Sequence, residues 1–442
     1  MPDRSEAGDV VELSVGEVVH GGWCVARPAS GPAVFVRHAL PGERVRAVIT
    51  QRTTKLARAD ATVILEASPD RVQPPCPHAH PGGCGGCDWQ HASLPAQRSL
   101  KAAVVRQQLR RIAGIDWDVS VEPMPGEENG LGWRTRVTFA VGRDGVAGLR
   151  RHRSHDIMEI GDCPIAHPLV AAAAATKRTW PGAAWVEVAC APGSGQRAVI
   201  IGGAAPAAEI AADTVLSQRT RHTGRTGHAG PAKVMRGTGY LRQRAAGRDW
   251  RVSAAGFWQV HPRAADTLAA AVLDALRPQP GEVALDLYCG AGLFAGVLAG
   301  AVGPSGTVIG IEADPAAVRD ARHNLRATPW ARVHRGDAAL VLARNGLSGA
   351  SLAVADPPRT GLARPIIDLL SAPPWAGQDV HASAGGQLRR IAYVSCDAAT
   401  LARDIALLRA AGWSLDALRG FDAFPMTHHV ECLATLTRSP EC

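Results

Sequence analysis

The sequence predicts an α/β protein. Its C-terminal part is a doubly wound, mostly parallel, Rossmann-like sheet, preceded by an OB-like β-barrel and a mixed middle domain. Three observations carry this. From Pro262 onward, apolar strand-like runs alternate with helical patterns, the rhythm of a parallel sheet covered on both faces. Before Ser68, short alternating segments are separated by Gly and Pro turns, as in a small barrel. The stretch between them holds strand-like runs without that regular alternation. The implied domains are 9–68, 69–261 and 262–442, which suits a chain of 442 residues.

In the first domain, residues 10–15, 32–36, 43–49 and 59–65 are the strand candidates, with turns at Gly21-Gly22, Gly31-Pro32 and Pro41-Gly42. Arg37, Arg44, Arg46, Arg52, Lys55 and Arg58 concentrate positive charge there, which suits either RNA contact or a solvated exterior. A Pro-rich connector, 69–81, leads into the cysteines. Leu100, Val104, Leu109 and Ile112 have helical spacing and predict a helix over 96–112. Residues 135–141, 156–160, 185–190 and 198–201 follow as strands, and the Gly/Arg-rich stretch 217–233 as a loop; 164–251 carries little other signal. In the last domain the strands are 283–288, 307–311, 331–333, 352–355 and 391–395, with helices from Leu293 and from Pro315, the latter at a first-turn position. Residues 430–437 close the chain as an edge or penultimate strand.

With 46% hydrophobic residues and no Gly-X-Y period, the composition excludes a disordered or collagen-like chain. No uninterrupted apolar run reaches the roughly 18 residues of a membrane span. The first thirty residues hold Asp3, Glu6, Asp9, Glu12 and Glu17, which is the wrong chemistry for a signal peptide, so a cytoplasmic location is expected. A net charge of +8 fits a polyanionic partner. The bases are nearly all Arg, however, and a GC-rich coding sequence accounts for that equally well. Ten cysteines are too sparse for a disulfide-stapled domain, yet Cys76, Cys84 and Cys87 cluster, which favours a metal or cluster site in a reducing compartment.

Ligands of such sheets lie at the carboxyl ends of the strands. The first ends in Asp286-Leu287-Tyr288-Cys289-Gly290-Ala291-Gly292, where Gly290 and Gly292 allow a tight turn and close approach to a nucleotide-like ligand. The second ends at Glu312, an acid suited to ribose hydroxyls. By itself this pattern serves S-adenosylmethionine or a dinucleotide. The third ends in Gly336-Asp337, where an adenine amino group can be read. The fourth ends in Asp356-Pro357-Pro358-Arg359, whose prolines stiffen the backbone and project Asp356 into the cleft. The fifth ends in Ser395-Cys396-Asp397, where the amides of a following helix are expected to lower the thiol pKa. Glu431 opens an apolar strand, either as a solvated end or as a partly desolvated base.

Together with Phe257-Trp258-Gln259, Tyr393-Val394-Ser395-Cys396-Asp397 and Phe424-Pro425-Met426-Thr427-His428-His429-Val430-Glu431, these motifs resemble the TRAM-domain RNA (uracil-5-)-methyltransferases, which make 5-methyluridine in ribosomal or transfer RNA. The resemblance implies that Cys396 attacks uracil C6, that C5 takes the methyl group of S-adenosylmethionine, and that Glu431 removes the C5 proton. It implies cofactor or substrate contacts for Gln259, Tyr288, Gly290, Gly292, Glu312, Asp337 and Asp356, and packing of Phe257 against a flipped-out uracil. Cys76, Cys84 and Cys87 with Cys163 match the branch that carries a [4Fe-4S] cluster and acts on ribosomal RNA. The rival is zinc, with His78, His80 or His91 in place of a thiol. The gap from Cys76 to Cys84 is seven residues where five are usual, and Asp397 stands where Asn is usual, so its carboxylate is expected to oppose thiolate formation.

Large-subunit ribosomal RNA is the first expected substrate and transfer RNA the second, with the protein a monomer. The competing readings are methylation of a different RNA base, a non-catalytic RNA-binding module and, from the glycine motif, an NAD-dependent oxidoreductase.

Overall fold

Alternation of apolar and polar residues sets the N-terminal sheet. In the strand Arg44–Arg52, Val45, Ala47 and Ile49 point into the core while Arg44 and Arg46 face outward. The computed structural model describes residues 7–28, 31–203, 210–218, 232–346, 349–371 and 388–438. Strands β1 (Val10–Ser14), β2 (Val18–Val19), β3 (Trp23–Ala26), β4 (Ala33–Arg37), β5 (Arg44–Arg52) and β6 (Leu56–Glu66) form one six-stranded sheet in the order β1-β5-β6-β4-β3-β2. Two of these, β2 and β3, are short and flank Gly21-Gly22, where the sequence shows only a turn.

Helix α1 (Leu94–Gln108) begins at Ser93, whose side chain caps Ala96 N, and continues into a widened π turn at Leu109–Ala113. The strand β7 (Val121–Glu122) follows. Strands β8 (Arg136–Val141), β9 (Ala147–Arg150), β10 (Ile157–Glu159), β11 (Ala183–Ala191), β12 (Gln196–Gly203), β13 (Thr214–Gln218) and β14 (Ala232–Arg236) make a seven-stranded middle sheet, with the short helix α2 (Pro168–Ala171) between β10 and β11. The ends of the expected loop 217–233 are strand, since Gln218 pairs with Ala232; residues 219–231 lie outside the described residues. The hairpin β15 (Tyr240–Ala245) and β16 (Arg248–Ser253) leads into the last unit.

There the elements alternate: α3 (Ala264–Leu276), β17 (Val283–Leu287), α4 (Leu293–Val302), β18 (Thr307–Glu312), α5 (Pro315–Asn324), β19 (Ala331–Arg335), α6 (Ala338–Asn345), β20 (Leu352–Ala355), α7 (Arg364–Ser371), β21 (Arg390–Ser395), α8 (Ala398–Ala410), β22 (Ser414–Phe421) and β23 (Glu431–Thr437). The sheet order is β19-β18-β17-β20-β21-β23-β22-β7, parallel from β19 to β21. Its order reverses between β17 and β20, which opens the ligand cleft at their carboxyl ends. The closing strand β23 is neither edge nor penultimate. It lies between β21 and β22, and β7 adds a further strand outside β22. Two residues leave no periodic signal, which is why β7 escapes the sequence.

Helix α1 fixes the segment between β22 and β23. Lys101 is fully buried and donates to Asp422, itself fully buried, and to Phe424 O at 3.0 Å. Gln97 accepts from Met426 N at 2.7 Å. Replacing Lys101 by Met leaves the Asp422 carboxylate buried without its cation, a loss on the order of 3–5 kcal/mol. Urea unfolding of Lys101→Met is expected to show that loss, whereas an exposed pair such as Arg110 with Asp116 should contribute below about 1 kcal/mol.

Candidate functional site: a thiol–carboxylate centre beside a glycine loop

The loop after β17 is a nest of constrained backbone. Tyr288 has φ +66, Gly290 φ +53 and Gly292 φ +90. A non-glycine residue in the left-handed region costs about 1 kcal/mol or more, so the surroundings must hold Tyr288 there. They do so through side chains beneath the loop. Asp286, fully buried, accepts from Ala295 N at 2.7 Å. Asn324 donates to Ala291 O at 2.9 Å. Glu312 accepts from Gly290 N at 2.9 Å and from Asp314 N at 2.7 Å. A Cβ built on Gly290 would meet nothing within 4 Å, so the surface above it is open. Asp337 caps α6 through Leu340 N at 3.1 Å and its charge, after burial, helps push the Tyr288 phenol up to about 12.

The chemistry-bearing groups meet beyond β20, where β21 ends and β23 begins. Ser395 pairs with Cys432 across β21 and β23, which sets Cys396 and Glu431 at the same end of adjacent antiparallel strands. Glu431 is 4% exposed, and its carboxyl is pushed far above the usual range by burial and by Asp356. Burial likewise raises Asp356 to about 7. Arg359 opposes both effects at Glu431 and also favours the Cys396 thiolate.

Two expectations are corrected here. The Cys396 thiol is raised, not lowered, to about 12: burial dominates, followed by the negative charges of Glu431 and Asp356, and Arg359 only partly offsets them. The helix amides are engaged elsewhere, because the Asp397 side chain takes Thr400 N at 2.8 Å. Asp397 also stands 3.6 Å from His20 Nε2, so the carboxylates that bear on the thiol are Glu431 and Asp356. Glu431 is the desolvated alternative, not a solvated strand end.

Phe257 and Gln259 stand on the loop after β16. Arg136 donates to Ala254 O and Gly256 O at 2.9 and 2.8 Å, and Thr135 holds Val260 O through its N–H and hydroxyl. Gln259 is buried, while Phe257 is 70% exposed, a bare ring on the surface. Among the described residues, no hydrogen bond or ring contact joins either to Cys396. Sequence reasoning assigned no role to Arg359, although it stands in a motif already singled out. Nor did it single out Asp88 or give a role to His428 and His429 of the quoted motif, whose contacts join distant segments.

Cys76, Cys84, Cys87 and Cys163 all line one cavity of about 380 Å³, together with His78, Gln90 and Arg134. Burial raises the Cys84, Cys87 and Cys163 thiols, and their neighbouring sulfurs raise them further. Among the described residues, no group of three or more His, Cys, Asp or Glu is arranged as around one metal ion. The four thiols share one cavity, a soft donor set whose chemistry suits iron or zinc.

On the barrel, Arg44 and Arg46 are paired with Glu66 and Glu12. Arg37 and Arg58, with Arg153 from the middle region, converge instead on the Trp23 ring at 5.2–5.9 Å. Among the described residues no helix is long and apolar enough to cross a membrane.

A parallel sheet with a glycine loop after its first strand and acids at the ends of the next two is the architecture of an S-adenosylmethionine-dependent methyltransferase. Residues 259–342, which carry that loop, match the model for protein-L-isoaspartate(D-aspartate) O-methyltransferase. Residues 349–439 match that for tRNA (uracil-5-)-methyltransferase, and residues 4–62 the TRAM domain. The chain is 46% identical to an uncharacterized RNA methyltransferase of Streptomyces avermitilis, over 97% of this chain and 98% of that one. It is 47% identical to one of Streptomyces coelicolor, over 98% and 93%. The fold is close to that of the Pyrococcus abyssi tRNA (uracil-54, C5)-methyltransferase solved with S-adenosyl-L-homocysteine (TM-score 0.70, 22% identity, 97% of this chain and 100% of that one). The chain belongs to the RNA methyltransferase family of these relatives, with the domains of the uracil-5-methyltransferases. It is an enzyme that takes RNA as substrate and S-adenosylmethionine as methyl donor.

The raised thiol gives a pH test. Alkylation of Cys396 in the free enzyme, followed by peptide mass spectrometry, is expected to stay slow at neutral pH and climb steadily into the alkaline range. A plateau reached by neutral pH would show the thiol already ionised.

Proposed function

We propose that the enzyme methylates C5 of a uridine in RNA through a covalent adduct of Cys396, with 23S ribosomal RNA as the substrate. The observation that carries this is the pairing of Cys396 with Glu431 at one strand end, flanked by Asp356 and Arg359. Uracil C5 is a poor nucleophile until a group adds at C6. The half-buried Cys396 thiol passes its proton to solvent water, and the thiolate, balanced by the Arg359 cation, adds its electron pair to C6. The electron pair moves to C5 and the enolate oxygen. C5 then takes the methyl group of S-adenosylmethionine, leaving S-adenosylhomocysteine. Glu431 takes the C5 proton, the C5–C6 double bond re-forms, and the sulfur leaves. A buried carboxylate with a raised pKa is a stronger base than one in water, which suits Glu431 to this step.

Gln259, Tyr288, Gly290, Gly292, Glu312 and Asp337 hold the methyl donor in this reading, supported by the open surface over Gly290 and the carboxylate already seated under the loop. Asp356, between that loop and Cys396, borders both donor and uracil. The exposed Phe257 ring packs against the extracted base.

Cys76, Cys84, Cys87 and Cys163 hold a [4Fe-4S] cluster in this proposal. The cluster supplies a crosslink between the two segments and no step of the methyl transfer. The enzyme works as a monomer in the cytoplasm, a reducing compartment that keeps such thiols free. A transfer RNA substrate is the second reading, favoured by the match of residues 349–439.

With RNA substituted by 5-fluorouracil, fluorine blocks the last proton removal, so a protein–RNA adduct stable on a denaturing gel is expected with ribosomal RNA and absent for Cys396→Ala. An adduct with transfer RNA alone would reassign the substrate, and none with either would overturn the uracil reading. Protein purified without oxygen is expected to carry about four irons and four sulfides per chain. Stoichiometric zinc would overturn the cluster.

A further inference from the structure

We propose that Asp88, His428 and His429 form a positioning relay that holds Arg359 against the Cys396 sulfur, so that the loop carrying Cys84 and Cys87 reaches the nucleophile. The proposal deepens the reading above and rests on Cys396 being the nucleophile.

The relay begins one residue after Cys87. Asp88 accepts from His428 N at 3.1 Å and lies 2.7 Å from His428 Nδ1. Both side chains are largely covered, at 15% and 25% exposure. The barrel seals them, because a Cβ on Gly22 would meet His428 Cβ at 2.8 Å and Asp88 Cβ at 3.3 Å. The His428 ring lies against that of His429, centroids 4.1 Å apart. His429 is gripped from its other sides by the edge of Phe424 at 6.0 Å and by Thr427 Oγ1, which accepts its backbone N–H at 3.3 Å.

Burial pushes the His429 imidazole down to about 3, helped by the charges of His428, Arg359 and Lys101 and opposed by Asp88. A neutral ring has one nitrogen lone pair to offer. His429 Nε2 lies 3.4 Å from Arg359 Nη2, so this nitrogen accepts and the ring proton sits on Nδ1. Arg359 is exposed, and its backbone is pinned where Thr400 Oγ1 donates to its carbonyl at 3.0 Å. An exposed Arg side chain on a pinned backbone samples many rotamers unless something takes its other N–H groups. His429 does so at Nη2, and in the proposed relay this leaves the rest of the guanidinium free to face the sulfur. Of the charged groups bearing on Cys396, Glu431 and Asp356 disfavour the thiolate and Arg359 favours it. The placement of Arg359 therefore decides how far burial is offset.

The test is a pH series of Cys396 alkylation by iodoacetamide, read by peptide mass spectrometry on the full-length, cluster-loaded protein. S-adenosylhomocysteine affinity serves as the check on folding. His429→Phe keeps the ring contacts and removes the acceptor. It is expected to raise the midpoint of the alkylation profile by about one pH unit and to slow alkylation at neutral pH about tenfold. His429→Asn, whose amide is too short to reach Arg359, should behave the same way and stands in if the Phe variant does not fold. His429→Gln carries an amide to the place of Nε2 and should restore the wild-type midpoint, as a merely structural role would not. Asp88→Asn should shift the midpoint in the same direction by less. An unchanged midpoint in His429→Phe and His429→Asn, with cofactor affinity intact, would overturn the relay. Because alkylation needs no RNA, the outcome is independent of methyl transfer. A wild-type protein that methylates no uridine would sink the functional reading alone.

Discussion

The backbone at Met426 is the constraint on which the rest of the site depends. Met426 is a buried, non-glycine residue with φ +67, a conformation that costs about 1 kcal/mol or more and persists only where it is over-determined. Its carbonyl accepts the N–H groups of both Asp88 and Trp89 at 3.0 Å, and its own N–H goes to Gln97. Trp89 in turn donates from its indole to Gly22 O of the barrel at 3.0 Å. One strained residue thus ties the cysteine loop, helix α1 and the barrel to the segment that ends in Glu431. The same turn sets the path of His428 and His429.

Electrostatics at the centre follows from that packing. Three acidic groups, Cys396, Asp356 and Glu431, are raised by desolvation; Asp356 further raises Glu431, and both further raise Cys396. At neutral pH the thiol and the Glu431 carboxyl hold their protons, while Asp356 sits near its midpoint. A resting thiol is protected from adventitious alkylation and oxidation, both of which need the thiolate. In the proposed mechanism the cost is that ionisation must be assisted when RNA is bound, a task given there to Arg359. As the proposed base, Glu431 gains from the same desolvation, since the last step of that reaction calls for a base that binds its proton tightly.

Cys396, Glu431 and the glycine loop were legible because each sits in a short, dense motif at a strand end, where sequence spacing and spatial position coincide. The alternation of β17 to β21 was legible for the same reason: buried parallel strands write themselves as apolar runs. What escaped depends on contacts far apart in the chain. Asp88 and His428 are 340 residues distant, and Arg359 and His429 are 70 apart. No local pattern announces such pairs. The sign of the Cys396 shift was also hidden: the helix dipole is a local inference, whereas burial against Glu431 and Asp356 is a property of the assembled sheet.

The cysteine cavity and the reaction centre share a wall. Trp133, Ile165 and Met426 form one apolar cluster, with Cys87, Cys163 and Phe424 packed against it. Gly130 shows how closely that wall fits, for a Cβ there would come within 2.9 Å of the Met426 methyl and 2.8 Å of Leu94. A group bonded to all four thiols would fix Cys163, and with it Ile165, relative to Cys87. Met426 would then have one position against both. A loop that must hold a base, a histidine pair and a strained turn within a few ångströms gains more from such a fixed wall than from further hydrogen bonds, because side-chain hydrogen bonds orient single groups whereas a covalent crosslink restrains whole segments. In the proposed cluster-loaded enzyme the cavity would contribute rigidity to the methyl-transfer site.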